Sequence, residues 1–152
     1  MDLPSLRIYL DACCLSRLTD DQNQPRVRAE AEAVEHIMGI VRAGQATWVS
    51  STVLSIEVGR NPDPERRREA EALLFFANEV VVPNQEVADR AREIKKRGFG
   101  TFDALHLASA ERAGVEVFLT TDDVLLRRAS RNVVCLHLRV ENPVLWYQEV
   151  RP

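Results

Sequence analysis

Thr101-Phe-Asp-Ala-Leu-His-Leu-Ala-Ser-Ala-Glu-Arg-Ala-Gly-Val-Glu-Val-Phe-Leu-Thr-Thr-Asp-Asp123 is the stretch that decides the fold. Thr101 is placed to cap a helix over Phe102 to Arg112, and Gly114 ends that helix. The apolar run Val117-Phe-Leu-Thr120 is a strand suited to burial on both faces. Asp122 follows at once as a second helix start, running to about Ala129. Helix, buried strand and helix in quick succession are the repeating unit of a parallel sheet with crossover helices.

The same alternation extends outward. Upstream, Ile8-Tyr-Leu10 is a short apolar strand, and Val34, Ile37, Met38 and Val41 give Val27 to Ala43 helical spacing up to Gly44. Between them Ser16 to Arg26 has loop chemistry, through Thr19-Asp-Asp-Gln-Asn-Gln-Pro25. Thr47-Trp-Val-Ser50 reads as a strand, followed by a short helix that Ser51 or Thr52 can cap and that ends near Gly59. A helix over Arg66 to Asn78 then leads to a strand at Glu79-Val-Val-Val82, and Asn84 caps a helix with Val87, Ala91 and Ile94 on one stripe. Downstream, Val133-Val-Cys-Leu136 is the predicted last strand, and the tail after Val140 can pack through Val144, Leu145, Trp146 and Tyr147. The predicted architecture is a three-layer α/β/α domain around a central, mostly parallel five-stranded sheet, with its core at about residues 7–138.

With 152 residues, 45% of them hydrophobic, the chain has the size and apolar content of one such domain. No apolar run reaches the ~20 residues that cross a bilayer. Met1-Asp-Leu-Pro-Ser5 lacks the basic start and apolar core of a signal peptide, so a soluble cytoplasmic protein is expected. Cys13, Cys14 and Cys135 form an odd set with two adjacent members, which argues against a disulfide framework. Neither CxxC nor a pair of histidines at ligand spacing occurs among His36, His106 and His137, which argues against structural zinc.

The net charge of −3 gives no global pull on nucleic acid, so binding of that kind depends on local patches or on cations. Arg60 with Arg66, Arg67 and Arg68 forms one patch and Arg127, Arg128 and Arg131 another. Asp63, Glu69 and Glu71 at helical spacing mark the Arg66 group as a solvated helix face. Arg90, Arg92, Lys95, Lys96 and Arg97 form a third patch leading into Asp103; within it, Arg92, Lys95, Lys96 and Arg97 are the candidates for contacting RNA.

Four acids carry the candidate chemistry. In open α/β sheets ligands bind outside the carboxyl ends of the strands, and Asp11 and Asp122 follow strands directly. Asp11 has no evident helix to cap. Glu57 lies among Val53, Leu54, Ile56 and Val58, where a buried carboxylate needs a cation or hydrogen-bond donors. Asp103 favours the macrodipole of its helix by ~0.3 to 1 kcal/mol, yet that helix is apolar enough to fix it rigidly at the mouth of the fold. Four carboxylates in one cleft would repel until divalent cations neutralise them, and oxygen ligands favour Mg²⁺ or Mn²⁺. Such ions activate water towards a phosphodiester.

At Ile8-Tyr-Leu-Asp-Ala12, Glu57, Thr101-Phe-Asp-Ala-Leu-His-Leu-Ala108 and Leu119-Thr-Thr-Asp-Asp123 the chain resembles the PIN-domain nucleases, over roughly Arg7 to Leu138. The resemblance implies an α/β/α fold, a Mg²⁺ or Mn²⁺ site and endoribonuclease activity. It matches Asp11, Glu57, Asp103 and Asp122 to the family's metal-binding acids, Thr121 to a supporting hydroxyl and Asp123 to an auxiliary position. Ala12 and Cys13 depart from the small polar residue and Asn common after the first acid; Ser16 could supply a replacement hydroxyl. Many relatives are VapC-type toxins that form homodimers and pair with an antitoxin, which implies both partners here.

Rival readings have identifiable weaknesses. A phosphotransfer receiver needs a lysine at the last strand, but Lys95 and Lys96 precede Asp103. A haloacid-dehalogenase-like phosphatase needs an Asp where Cys13 stands. Neither GxxxxGK nor GxSxG is present. The alternative from another class is a catalytically silent PIN-like module that binds RNA or a protein.

Overall fold

A computed structural model describes residues 6–151. The expectation that Met1-Asp-Leu-Pro-Ser5 carries no signal segment falls outside them. In chain order the elements are β1 (Arg7–Leu10), α1 (Ala12–Ser16), α2 (Pro25–Arg42), β2 (Thr47–Ser51), α3 (Thr52–Gly59) and α4 (Pro64–Leu74). There follow β3 (Glu79–Val81), α5 (Gln85–Lys95), α6 (Thr101–Arg112), β4 (Val117–Leu119), α7 (Asp123–Arg131), β5 (Arg139–Glu141) and α8 (Pro143–Val150). The five strands are all parallel, in the order β3-β2-β1-β4-β5. Helices cover both faces, giving the predicted three layers.

The strand order explains the burial. β1 is central, and Ile8, Tyr9 and Leu10 are fully buried, as are Trp48 in β2 and Phe118 and Leu119 in β4. The order also reverses beside β1: the chain steps outward to β2 and β3, then returns to β4 and β5 on the other side. Right-handed crossovers place the two sets of connecting helices on opposite faces. A crevice therefore opens at the carboxyl ends of β1 and β4, the switch point of such a sheet.

Local chemistry accounts for most helix starts. The side chains of Ser51, Asp63, Asn84, Asp122 and Asn142 accept from backbone N–H groups in the first turns of their helices. Three sequence expectations are corrected. The cap of α6 is Gly100 rather than Thr101, which is already the first helical residue. Asp11 does cap a helix, the short α1, through Ala12 N at 2.9 Å. The last strand is Arg139–Glu141; residues 132–135 are turns in which Val133 and Val134 lie 68% and 92% exposed. Apolar β-branched residues there mimic a strand, but edge strand β5 is recruited from the polar segment that reaches β4 in register, with Val117 opposite Arg139.

The tail is an ordered helix. Trp146 of α8 is buried and Tyr147 stacks on His36 of α2 with ring centroids 4.9 Å apart, whereas Leu145 is exposed. Asn142, which caps α8, also donates to the buried Glu30 at 2.7 Å, where Arg17 and Arg26 supply the compensating charge. The Thr19–Pro25 loop is pinned from α4: Arg66 donates to Thr19 Oγ1 and the Ser16 carbonyl and pairs with Asp20. Arg66 thus serves the tertiary structure across the loop rather than a salt bridge along its own helix. Among the described residues no helix is long and apolar enough to cross a membrane.

Candidate metal centre

The crevice is built from two walls. On the strand side, Asp11 leaves β1 with its backbone N–H bonded to the Leu119 carbonyl of β4 at 2.9 Å. Asp11 is buried, 6% exposed as a residue. Thr120 Oγ1 donates to Asp11 Oδ2 at 2.9 Å and accepts from the Asp122 backbone N–H at 3.1 Å. One hydroxyl thereby links the first acid to the fourth. Burial pushes the Asp11 carboxyl above its ordinary range, against the lowering effects of His106 and the Thr120 hydroxyl.

Cys13 completes this wall. Its thiol lies 3.5 Å from Asp11 Oδ2 and 3.2 Å from Thr120 Oγ1, and it accepts the Thr121 backbone N–H at 3.3 Å.

On the helix side, Glu57 projects from α3 and Asp103 from the first turn of α6. Glu57 is less buried than its sequence neighbours suggest: its side chain is 31% exposed, and Ile56 beside it is 52% exposed. Its one side-chain hydrogen bond among the described residues is with His106 Nε2 at 3.3 Å. Ligand atoms of Asp11, Glu57 and His106 lie within 4.8 Å of one another. Asp103 feels the same cluster, and its carboxyl is pushed up to about 6, first by burial and then by the negative charges of Asp11 and Asp122.

The remaining predicted positions divide. Asp122 is exposed and caps α7 through Oδ1, which accepts from Val124 N and Leu125 N. Thr121 is buried, but its hydroxyl has no hydrogen-bond partner among the described residues; the hydroxyl bonded to an acid is that of Thr120. Asp123 turns towards α2, where Arg26 holds it with two bonds of 2.8 Å and lowers its pKa. Ser16 ends α1 and offers its carbonyl to Thr19 and Arg66. In the basic patch on α5, Arg90 is spent on Glu111 and Glu93, and Arg92 pairs with Asp89. Lys95, Lys96 and Arg97 are exposed and without ion pairs among the described residues.

Two participants carry no assigned role in the sequence reading. His106 is fully buried three residues after Asp103, a spacing that puts both on one helix face. Thr120 shares its strand face with Phe118, which stacks on Tyr9 at 5.1 Å, so it faces the interior beside β1.

The donor set suits a hard divalent cation. No arginine or lysine bonds to Asp11, Glu57, Asp103 or Asp122 among the described residues, so protein cations do not offset this charge.

The fold is α/β/α with acids gathered at its switch point, and the family match is specific. Residues 8–131 match the PIN domain, and the chain belongs to that family, whose members are generally nucleases. Solved structures of the same fold include VapBC2 from Rickettsia felis, bound to a DNA fragment from its promoter (TM-score 0.57, 11% identity, 90% of this chain and 98% of that one). VapBC-1 from nontypeable Haemophilus influenzae has a TM-score of 0.56 at 19% identity, covering 91% and 98% of the two chains. PAE2754 from Pyrobaculum aerophilum has a TM-score of 0.53 at 19% identity, covering 94% and 88%. No curated protein sequence matches the chain.

Proposed function

We propose that this protein is a Mg²⁺- or Mn²⁺-dependent endoribonuclease that hydrolyses RNA phosphodiester bonds at the Asp11–Glu57–Asp103–Asp122 cluster. The observation that carries the reading is the concentration of carboxylates around Asp103 with no lysine or arginine bonded to them among the described residues; burial first, and these charges after it, hold the Asp103 carboxyl up at about 6. A divalent cation bound there supplies activation of water and neutralisation of charge on the phosphodiester. Asp11 would hold it from the strand wall, oriented by Thr120, with Glu57 and Asp103 facing it from the helices and Asp122 at the exposed rim. Exposed Lys95, Lys96 and Arg97, at the end of the helix that leads into Asp103, are suited to the RNA backbone, with Arg92 beside them.

A circular RNA tests the chemistry and the endonucleolytic mode together. Linearisation in Mg²⁺ or Mn²⁺, stopped by EDTA, is the expected result. An intact circle alongside degraded linear RNA would mean attack from an end, and an intact circle and intact linear RNA would favour a silent binding module.

The biological role proposed is that of a toxin controlled by an antitoxin, in a cytoplasmic homodimer. VapBC complexes share the fold, and Phe75, Phe76, Val80 and Val82, exposed just after α4 and on and just after edge strand β3, offer apolar surface for a protein partner. Induced expression should arrest growth, and co-expression of a neighbouring antitoxin gene should relieve it. Normal growth with a metal-loaded, RNA-cleaving protein would remove the toxin role and leave the nuclease.

A further inference from the structure

A buried chain of hydrogen bonds runs from the first turn of α3 into the acid cluster. The Leu54 backbone N–H donates to Ser51 Oγ at 3.1 Å, and Ser51 Oγ lies 2.6 Å from the Tyr9 hydroxyl. Tyr9 OH lies 2.6 Å from His106 Nδ1, and His106 Nε2 lies 3.3 Å from Glu57 Oε1. Ser51, Tyr9 and His106 are each fully buried.

The number of protons fixes the direction. Ser51 Oγ already accepts from Leu54, so its own proton needs an acceptor, and the one hydrogen-bonded to it is Tyr9. Tyr9 then has a single proton and one remaining neighbour, Nδ1. That nitrogen is therefore an acceptor, and the ring carries its proton on Nε2, pointed at Glu57. In the opposite direction Nδ1–H would donate to Tyr9 and Tyr9 to Ser51. The Ser51 proton would then be left unpaired in a water-excluded site, at a cost of about 1–3 kcal/mol. Burial also pushes the Tyr9 phenol up, keeping it a donor.

We propose that His106 is a positioning residue: the Ser51–Tyr9 chain fixes its Nε2–H, which aims the Glu57 carboxylate, and the imidazole is not itself an ion ligand. The task given to Glu57 rests on the nuclease reading; the tautomer does not. Glu57 is partly exposed and has no other side-chain hydrogen bond among the described residues, so this donor is what orients it. The pattern is that of an outer residue which directs a ligand without touching the ion.

Long-range ¹H–¹⁵N correlation spectra of the labelled, metal-free full chain decide the tautomer. The expected result is an acceptor-type shift at Nδ1 and a protonated-type shift at Nε2, both unchanged when Mg²⁺ saturates the protein. A proton on Nδ1, or loss of the Nε2 proton on adding Mg²⁺, would overturn the proposal. Tyr9→Phe should mix the tautomers and weaken Mg²⁺ binding, measured by calorimetry, about tenfold. Retention of the wild-type tautomer in Tyr9→Phe would overturn the role of the chain. His106→Gln, whose amide can still donate to Glu57, should bind Mg²⁺ more tightly than His106→Ala; equal weakness in both would count against positioning. Absence of Mg²⁺ binding by the wild type would contradict the nuclease reading, while the metal-free spectrum would still decide the tautomer.

Discussion

The two walls of the crevice hold their acids by different means. On the strand wall Asp11 is fixed by the backbone of β1 and β4, by its cap on α1 and by the Thr120 hydroxyl, so its position is a property of the sheet. On the helix wall, among the described residues, Glu57 depends on one side-chain donor, and Asp103 has no side-chain hydrogen bond and is held by the placement of α6, with like charges around it. One wall is preorganised and hydrogen-bonded; the other stores repulsion that a cation would relieve. This division separates what stabilises the fold from what a ligand must complete.

The largest expected effects come from removing a carboxylate on either wall. Asp11→Asn and Asp103→Asn should each lower divalent-dependent RNA cleavage by at least about 100-fold, in rates measured at saturating Mg²⁺. Stability should diverge between the walls when Asp103→Asn is set against Asp11→Ala. Asp103→Asn removes repulsion and should raise the melting temperature of the metal-free protein, whereas Asp11→Ala loses a helix cap worth about 1 kcal/mol as well as the Thr120 contact. Equal melting temperatures for Asp103→Asn and Asp11→Ala would erase the distinction between the walls.

Removal of the ion probes the same asymmetry. Mg²⁺ at about 100 times its dissociation constant should stabilise the wild type by about 2.7 kcal/mol in thermal or urea unfolding. That gain should shrink strongly in Asp103→Asn. An undiminished gain would place the cation elsewhere.

Adjacent threonines sharpen the strand wall. Thr120→Val removes the donor to Asp11 and the acceptor for Asp122 N, and should cost about 1–3 kcal/mol in urea unfolding. Thr121→Val replaces a buried hydroxyl without a partner and should be neutral or stabilising by up to about 1 kcal/mol. The reverse order would move the supporting role to Thr121.

An effect of similar size lies in pH. The Asp103 carboxyl titrates at about 6 in the folded protein against 3.8 ordinarily, so between these values the folded state binds more protons than the unfolded one. Metal-free stability from this group is therefore fully present below about pH 4 and lost as pH rises through about 6. After allowance for its partial exposure the contribution is on the order of 1–2 kcal/mol. Subtracting the Asp103→Asn profile from the wild-type profile isolates it, and a flat difference between pH 4 and 7 would refute the shift.

The sequence carried the fold where period and punctuation agreed. Val117-Phe-Leu119 and the caps Asn84 and Asp122 were legible, as was the placement of Asp11 after a strand, Asp103 in a first helical turn and Glu57 within a helix. Val133-Val-Cys-Leu136 misled because β-propensity competes with register, and β5 forms where residues 139–141 reach β4. Asp11 hid its cap because α1 is a single short helix. His106 and Tyr9 look like packing residues in one dimension, since their bonds join β1 to α6 across 97 residues. Thr120 and Thr121 are indistinguishable by composition and separate only when the strand's alternation is set against β1.

End-labelled RNA incubated with the purified protein in Mg²⁺, Mn²⁺ or EDTA, beside Asp103→Asn prepared identically, tests the central claim most directly. Internal cleavage by the wild type with either cation, none in EDTA and none by the variant is the expected result. Cleavage that persists in Asp103→Asn, or that ignores EDTA, would contradict it.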